Sequence, residues 1–213
     1  MELINKKILI TAPVHQTEEI FIEYLNSIHN LIIPNGYECN LFFYLHNCPE
    51  LKKYLKDDEY TEILDNSKYE IFSHKFKKDN YSALSYMRTA ALQKAREENY
   101  DYVFSVDSDV ILHKDNLKEL LQDEKDIVAK MYWTIFDSNL PYYAMPNCYD
   151  YIDYEGRRIF KRGINSLKFL GIYEMGVVGA CTLILFFLFF DLEFELVFIV
   201  LYLISSLIFS VSF

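Results

Sequence analysis

The stretch FSVDSDVIL, residues 104–112, constrains this chain more than any other. Phe104, Val106, Val110, Ile111 and Leu112 suit a strand buried on both faces, where Asp107 and Asp109 are costly unless something compensates their charge. That compensation is where function should be sought.

The surrounding pattern alternates strands with helices. Lys7 to Ala12 (KILITA) reads as a buried strand. A turn over Pro13 to Gln16 then leads into a helix in which Ile20, Phe21, Tyr24, Leu25 and Ile28 recur at helical spacing until Pro34-Asn35-Gly36 stops it. Asn40 to Leu45 (NLFFYL) predicts a second strand, residues 50–65 a broken helix, and Tyr69 to Phe72 a short third strand. From Ser82 to Glu98, Leu84, Met87, Ala91 and Ala95 form one apolar stripe; Asn99-Tyr100 closes that helix and Tyr102 to Val106 is the next strand. Such alternation implies an α/β fold, a mostly parallel sheet flanked by helices with right-handed crossovers, and ligands bound at the carboxyl ends of strands. Asp107 and Asp109 fall at that edge, with the Pro13 to Gln16 turn and the start of the helix carrying Arg88.

A turn just after the strand lets both carboxylates reach one cleft, where a divalent cation that keeps waters and shares phosphate oxygens suits them. Two aspartates that merely cap a turn would read the same way. Arg88 likewise reads either as a bidentate phosphate ligand or as a surface residue covering apolar area with its stem. His15 in the first turn reads most simply as a solvated loop histidine.

The run YDYVFSVDSDVILHKDNLKELL, followed by DIVAKMYW, resembles the metal-binding core of a GT-A glycosyltransferase of the family 2-like kind. The resemblance spans Lys7 to Ile184 and includes ILITAPV, YMRTAALQKA and the late GVVGACTLI segment. It implies a GT-A (Rossmann-like) fold and transfer of a sugar from a nucleotide diphosphate sugar to an acceptor hydroxyl on a glycan, lipid or protein. It also implies Mn²⁺ or Mg²⁺ as cofactor: Asp109 would ligate the metal directly, and Asp107 would meet the ribose or the metal's water shell. Arg88 falls at an arginine of the nucleotide site, and Thr11, Pro13 and His15 become candidates for the uracil or ribose pocket. An inverting transferase needs a general base. Where the resembled family has a polar helix with an acidic pair after the GACTLI-like strand, this chain has LFFLFF, leaving Glu174 as the candidate just before it and Asp191, Glu193 and Glu195 after it. No histidine follows His113 to act as a late metal ligand.

Composition narrows the classes further. With 213 residues, 52% hydrophobic and 24% charged, the chain suits one main folded domain, and a formal net charge of -10 disfavours nucleic acid. Four cysteines without a CxxC pair suggest neither a zinc site nor a disulfide framework and point to a reducing compartment. MELINKKILI has too short an apolar core for an export signal, so a cytoplasmic chain is expected. Between Trp133 and Phe160 lie Tyr142, Tyr143, Tyr149, Tyr151 and Tyr154, then a predicted turn at Glu155-Gly156 beside Arg157, Arg158, Lys161 and Arg162. These tyrosines suit acceptor stacking or plain core packing.

No Lys or Arg follows Lys168, and from Leu183 the composition collapses to a few apolar types. Residues 1–182 are therefore expected to form the transferase domain and 183–213 an apolar tail. Leu196 to Val211 approaches the roughly 20 residues of a membrane helix, but Asp191, Glu193 and Glu195 cut it short. The tail is read as a membrane helix, with the domain on the cytoplasmic face, or as an altered reading frame. On the second reading the chain is a nucleotide-sugar-binding remnant without an acceptor half. A phosphotransferase of the haloacid dehalogenase kind also uses D-x-D after a strand, but Gly-Thr should follow it, and here Val110-Ile111 does.

Overall fold

The computed structural model describes residues 5–63, 80–135, 144–149, 151–152, 158–159, 173–175, 177–178, 181–185 and 209–212. The chain divides into two compact units, Met1–Lys118 and Glu119–Phe213.

The first unit begins with β1 (Lys6–Val14), α1 (Glu18–His29), β2 (Tyr37–His46) and a 3-10 turn at Pro49–Tyr54. β3 (Tyr60–Ile63), α2 (Asn80–Glu97) and β4 (Tyr102–Val106) follow. The strands lie in the order β4-β1-β2-β3, and every pairing among them is parallel. Five residues of β1, Ile8 to Ala12, are buried without a break, as expected of a central strand covered on both sides.

Alternation along β2 shows where the helices lie. Phe43 meets Phe21 and Tyr24 of α1 edge-on, with ring centroids 6.1 and 5.9 Å apart. Its neighbours Phe42 and Tyr44 instead join Ile63 and the α2 residues Ala83, Met87 and Ala91. Successive strand side chains point to opposite faces, so α1 and α2 cover opposite faces of the sheet. This is the α/β, mostly parallel, helix-flanked arrangement expected from the sequence.

Local chemistry sets the ends of these elements. Glu18 and Glu19 occupy the first turn of α1, where carboxylates favour the helix dipole. Gly36, at φ +86°, makes the turn into β2, a conformation that costs glycine little. Asn99 takes φ +55° just past α2, and the Tyr100 N–H reaches back to the Ala95 carbonyl at 2.9 Å.

Helix α3 (Asn116–Gln122) crosses the division between the units. In the second unit β5 (Ile127–Lys130), β6 (Trp133–Ile135), β7 (Ala144–Pro146), β8 (Cys148–Tyr149) and β9 (Tyr151–Ile152) come first. β10 (Arg158–Ile159), β11 (Tyr173–Met175), β12 (Val177–Val178), β13 (Cys181–Leu185) and β14 (Phe209–Ser212) follow. β5 pairs antiparallel with β13 and parallel with β14, and β14 pairs antiparallel with β11. Asn147 ties β5 to the chain beyond it: its Nδ2 donates to the Lys130 carbonyl and its Oδ1 accepts from the Tyr132 N–H, both at 3.0 Å.

Three differences from the sequence expectations stand out. The expected broken helix over 50–65 is a 3-10 turn followed by strand β3, because Tyr60 to Ile63 hydrogen-bonds along β2, a partner distant in sequence. The division between units falls at 118/119, whereas the composition changes at 182/183, and β13 runs through residues 183–185 with Leu183 and Ile184 buried. Phe209–Ser212, at the far end of the apolar segment, forms β14. Among the described residues no helix is long and apolar enough to cross a membrane. The strand expected at Tyr69 to Phe72, the turn at Glu155-Gly156 and most of Leu196 to Val211 lie outside the described residues, although β9 and β10 pair antiparallel on either side of that turn.

Candidate functional site

Because β1, β2 and β4 are adjacent and parallel, their carboxyl ends share one edge of the first unit. A cavity of about 240 Å³ opens there, lined by Pro13, Val14, His15 and Gln16 after β1 and by His46 at the end of β2. Leu84 and Met87, one helical turn apart on α2, and Asp107, Ser108 and Asp109 after β4 complete the lining.

The aspartate turn is held from both sides. The Tyr24 hydroxyl, fully buried on α1, donates to the carbonyl of Val106, the last residue of β4, at 3.3 Å. The Val110 N–H closes the turn onto the Asp107 carbonyl at 3.0 Å, and Ser108 is buried at its apex. Asp107 is half-buried and accepts a hydrogen bond from Arg88 Nη2 at 2.8 Å, an ion pair reaching across from α2. Asp109 is exposed and, among the described residues, has no hydrogen-bond or ion-pair partner. The charge that is costly in an apolar run is thus half compensated by Arg88 and half left open to the cavity.

The opposite wall carries two histidines. In the β1–β2 register Val14 stands against Leu45, so one rung further His15 meets His46, with ring centroids 5.5 Å apart. His15 Nδ1 lies 2.7 Å from the His46 carbonyl oxygen, and the Asn47 amide Nδ2 lies 3.3 Å from His46 Nε2. Asn47 adopts φ +54°, and its N–H is bound to the Ile63 carbonyl at 3.1 Å. The buried Cys48 thiol donates to the Val14 carbonyl at 3.4 Å, and burial holds its pKa above the ordinary thiol value. It is a structural thiol.

Of the residues expected from the sequence, Pro13, His15, Asp107 and Asp109 line this cavity. Arg88 does not line it but grips Asp107, which neither sequence reading of Arg88 included. Thr11 sits two residues too early: it is buried inside β1, and its hydroxyl has no hydrogen-bond partner among the described residues. Glu174 stands in β11 opposite Ser210, in the second unit. His46 was missed, although its place at the end of a strand next to β1 marks it by the same rule that marked Asp107.

The donor set suits a particular kind of cation. Among the described residues no three His, Cys, Asp or Glu side chains converge to hold a metal. Two carboxylates alone suit a hard ion, Mg²⁺ or Mn²⁺, that fills its remaining positions with water and phosphate oxygens. They would not suit a structural zinc.

Comparison with known proteins assigns the family. The model of the glycosyltransferase family 25 N-terminal domain matches residues 42–159, more than half of the chain. The chain belongs to this family. The match takes in the second half of β2, all of α2, Arg88, Asp107 and Asp109, and it bears out the glycosyltransferase resemblance read from the sequence. No curated protein matches. Among solved structures, S. aureus TarS in complex with UDP-GlcNAc is similar at 13% identity and a TM-score of 0.48, over 96% of this chain and 55% of that one. The chain therefore spans about half the length of that structure. The bifunctional IspDF of Campylobacter jejuni is similar at 13% identity and a TM-score of 0.37, over 62% of this chain and 36% of that one. The chain is thus a glycosyltransferase-family α/β protein with a carboxylate-bearing cavity at the carboxyl edge of its parallel strands.

Proposed function

We propose that this glycosyltransferase uses a nucleotide diphosphate sugar as donor and passes the sugar to an acceptor hydroxyl, with Mn²⁺ or Mg²⁺ held through Asp107 and Asp109. The observation that carries this reading is the pairing of two aspartates with opposite degrees of freedom at one cavity edge: Asp107 tied to Arg88, Asp109 without a partner among the described residues. A diphosphate brought alone to these carboxylates would add negative charge to negative charge. Bound there, a divalent cation supplies the positive charge that stabilises a nucleoside diphosphate leaving group.

The chain's own residues would divide the remaining work. Asp109 offers a free carboxylate for the cation. Asp107, held by Arg88, has one oxygen already occupied, which suits it to the water shell or a ribose hydroxyl rather than to a full share of the metal. The Arg88 side chain is 42% exposed, and its guanidinium has donors left for a phosphate oxygen without releasing Asp107. Leu84, Met87, Pro13 and Val14 give the cavity an apolar wall against which a base could lie.

Isothermal titration of the purified chain with UDP, GDP, CDP and ADP, each with Mn²⁺ and with EDTA, tests this. Binding of at least one nucleotide is expected with Mn²⁺ and is expected to be lost in EDTA. Equal affinity in both buffers would overturn the metal role, and no binding in either would overturn the donor assignment.

A further inference from the structure

We infer that Arg88 selects the form in which the metal arrives: its charge, lodged on Asp107, keeps a bare divalent cation off the two aspartates and reserves them for a cation that comes with a diphosphate. This rests on the proposal that the cavity takes a nucleotide diphosphate sugar with Mn²⁺ or Mg²⁺.

Sheet register explains why Arg88 meets one aspartate and not the other. Thr11 of β1 stands against Phe42 of β2 on one side and against Ser105 of β4 on the other. Phe42 packs with the α2 residues Met87 and Ala91, so Ser105 lies on that same face of the sheet. Alternation carries the chain to Asp107, two residues on, still on the α2 side. There Arg88, one helical turn after Leu84, donates from Nη2 to Oδ1 at 2.8 Å. Asp109 lies beyond the turn that the Val110 N–H closes onto the Asp107 carbonyl, and it is exposed. Among the described residues no other Lys or Arg meets either carboxylate, and none lines the cavity.

The charges of Arg88, Asp107 and Asp109 therefore sum to a single negative charge. A bare divalent cation overshoots that sum and leaves the site positive beside a guanidinium. A cation accompanied by the pyrophosphate of a nucleotide sugar, which carries two negative charges, adds no net charge at all. Without Arg88 the preference reverses. Two carboxylates then balance a bare divalent cation, and the arriving pyrophosphate is left with no positive charge to meet. The ion pair is partly shielded from water, with side chains 42% and 30% exposed, so its field reaches a neighbouring ion with less screening than that of a fully solvated pair. Arg88 acts on the metal through Asp107, as a positioning residue whose effect is one of charge.

The test reads two affinities in the unsubstituted chain, Arg88→Ala, Arg88→Gln and Arg88→Lys: that for Mn²⁺ alone, from the paramagnetic resonance signal of the free ion, and that for UDP, GDP, CDP and ADP with Mn²⁺, by calorimetry. At low ionic strength Arg88→Ala should bind bare Mn²⁺ about tenfold more tightly, the scale of one charge opposing two across a carboxylate even at the dielectric of water. The same variant should bind nucleotide with Mn²⁺ about tenfold more weakly. Arg88→Gln keeps a donor toward Asp107 without the charge, so it should behave as the alanine variant does and replaces it if that chain fails to fold in thermal melts. Arg88→Lys keeps the charge and should hold bare Mn²⁺ within about twofold of the unsubstituted chain. Unchanged or weaker Mn²⁺ binding in the folded neutral variants, or Mn²⁺ binding in Arg88→Lys as tight as in Arg88→Gln, would overturn the inference while leaving the donor proposal standing. Absence of nucleotide binding by the unsubstituted chain would overturn both.

Discussion

The two ends of the same parallel strands are built on opposite terms. At the amino edge Asp101, Lys6 and Lys7 are answered from within the chain, and among the described residues of these strand ends only the exposed Glu38 has no hydrogen-bond or ion-pair partner. Asp101 Oδ2 accepts from the Lys7 N–H at 2.7 Å, and the Asp101 N–H returns to the Lys7 carbonyl at 2.9 Å. Lys7 Nζ then donates to the Glu98 carbonyl at 2.9 Å and lies over the Tyr100 ring, while Lys6 lies over Tyr102. At the carboxyl edge Asp109 has no partner among the described residues and Asp107 shares a single arginine. Equal numbers of charges would not distinguish the edges; their state of satisfaction does. One edge is closed by folding, and the other leaves capacity for a ligand.

The contrast predicts that substitutions divide into binding effects at one edge and stability effects at the other. The largest effect is expected from Asp109→Asn, which should weaken Mn²⁺-dependent nucleotide binding by about 10- to 100-fold, the scale of a lost interaction with a charged group, with the melting temperature unchanged. Arg88→Ala should weaken it by about tenfold and, by freeing Asp107, should also lower the melting point slightly. If either variant bound nucleotide as tightly as the unsubstituted chain in calorimetry, the two edges would not differ as described. Asp101→Ala should do the reverse, costing about 1 kcal/mol of stability, or about 2–4 °C in thermal melts, with no change in nucleotide affinity. A loss of affinity there would erase the comparison.

The smallest expected effect concerns Cys39 in β2. Burial, reinforced by the Glu38 charge, pushes its thiol pKa up to about 12. The folded thiol should therefore stay protonated and unreactive to iodoacetamide at pH 8. Since the unfolded thiol ionises near about 8.5, Cys39 contributes stability that is present below that pH and is lost between about pH 9 and 12. Labelling of Cys39 in the native chain at pH 8, read by peptide mass mapping, would show the strand to be more open than described.

Legibility from sequence followed how local the determinants were. Tyr102 to Val106 was readable to the residue because a buried parallel strand declares itself as an apolar run ended by polar residues. α1 was readable from its 3.6-residue period and the Pro34-Asn35-Gly36 stop. Tyr60 to Ile63 was not, because a four-residue edge strand has too short a pattern and owes its form to β2. At the site, Asp107 and Asp109 stood out because charge inside an apolar run is conspicuous. His46 did not, because a histidine after NLFFYL looks like an ordinary strand end, and only the β1–β2 register brings it beside His15. Arg88 was noticed on its helix, but its partner depends on how α2 lies over β4, which no spacing along one helix encodes.

The bond from the Tyr24 hydroxyl to the Val106 carbonyl has a kinetic consequence. It fixes the last peptide of β4, and with the Asp107–Val110 turn bond it leaves the aspartate backbone little freedom before a ligand arrives. Most of the ordering that a loose loop would undergo on binding has already happened on folding. Association should then follow the rate of encounter, rising in proportion to ligand concentration without the plateau that a slow rearrangement imposes.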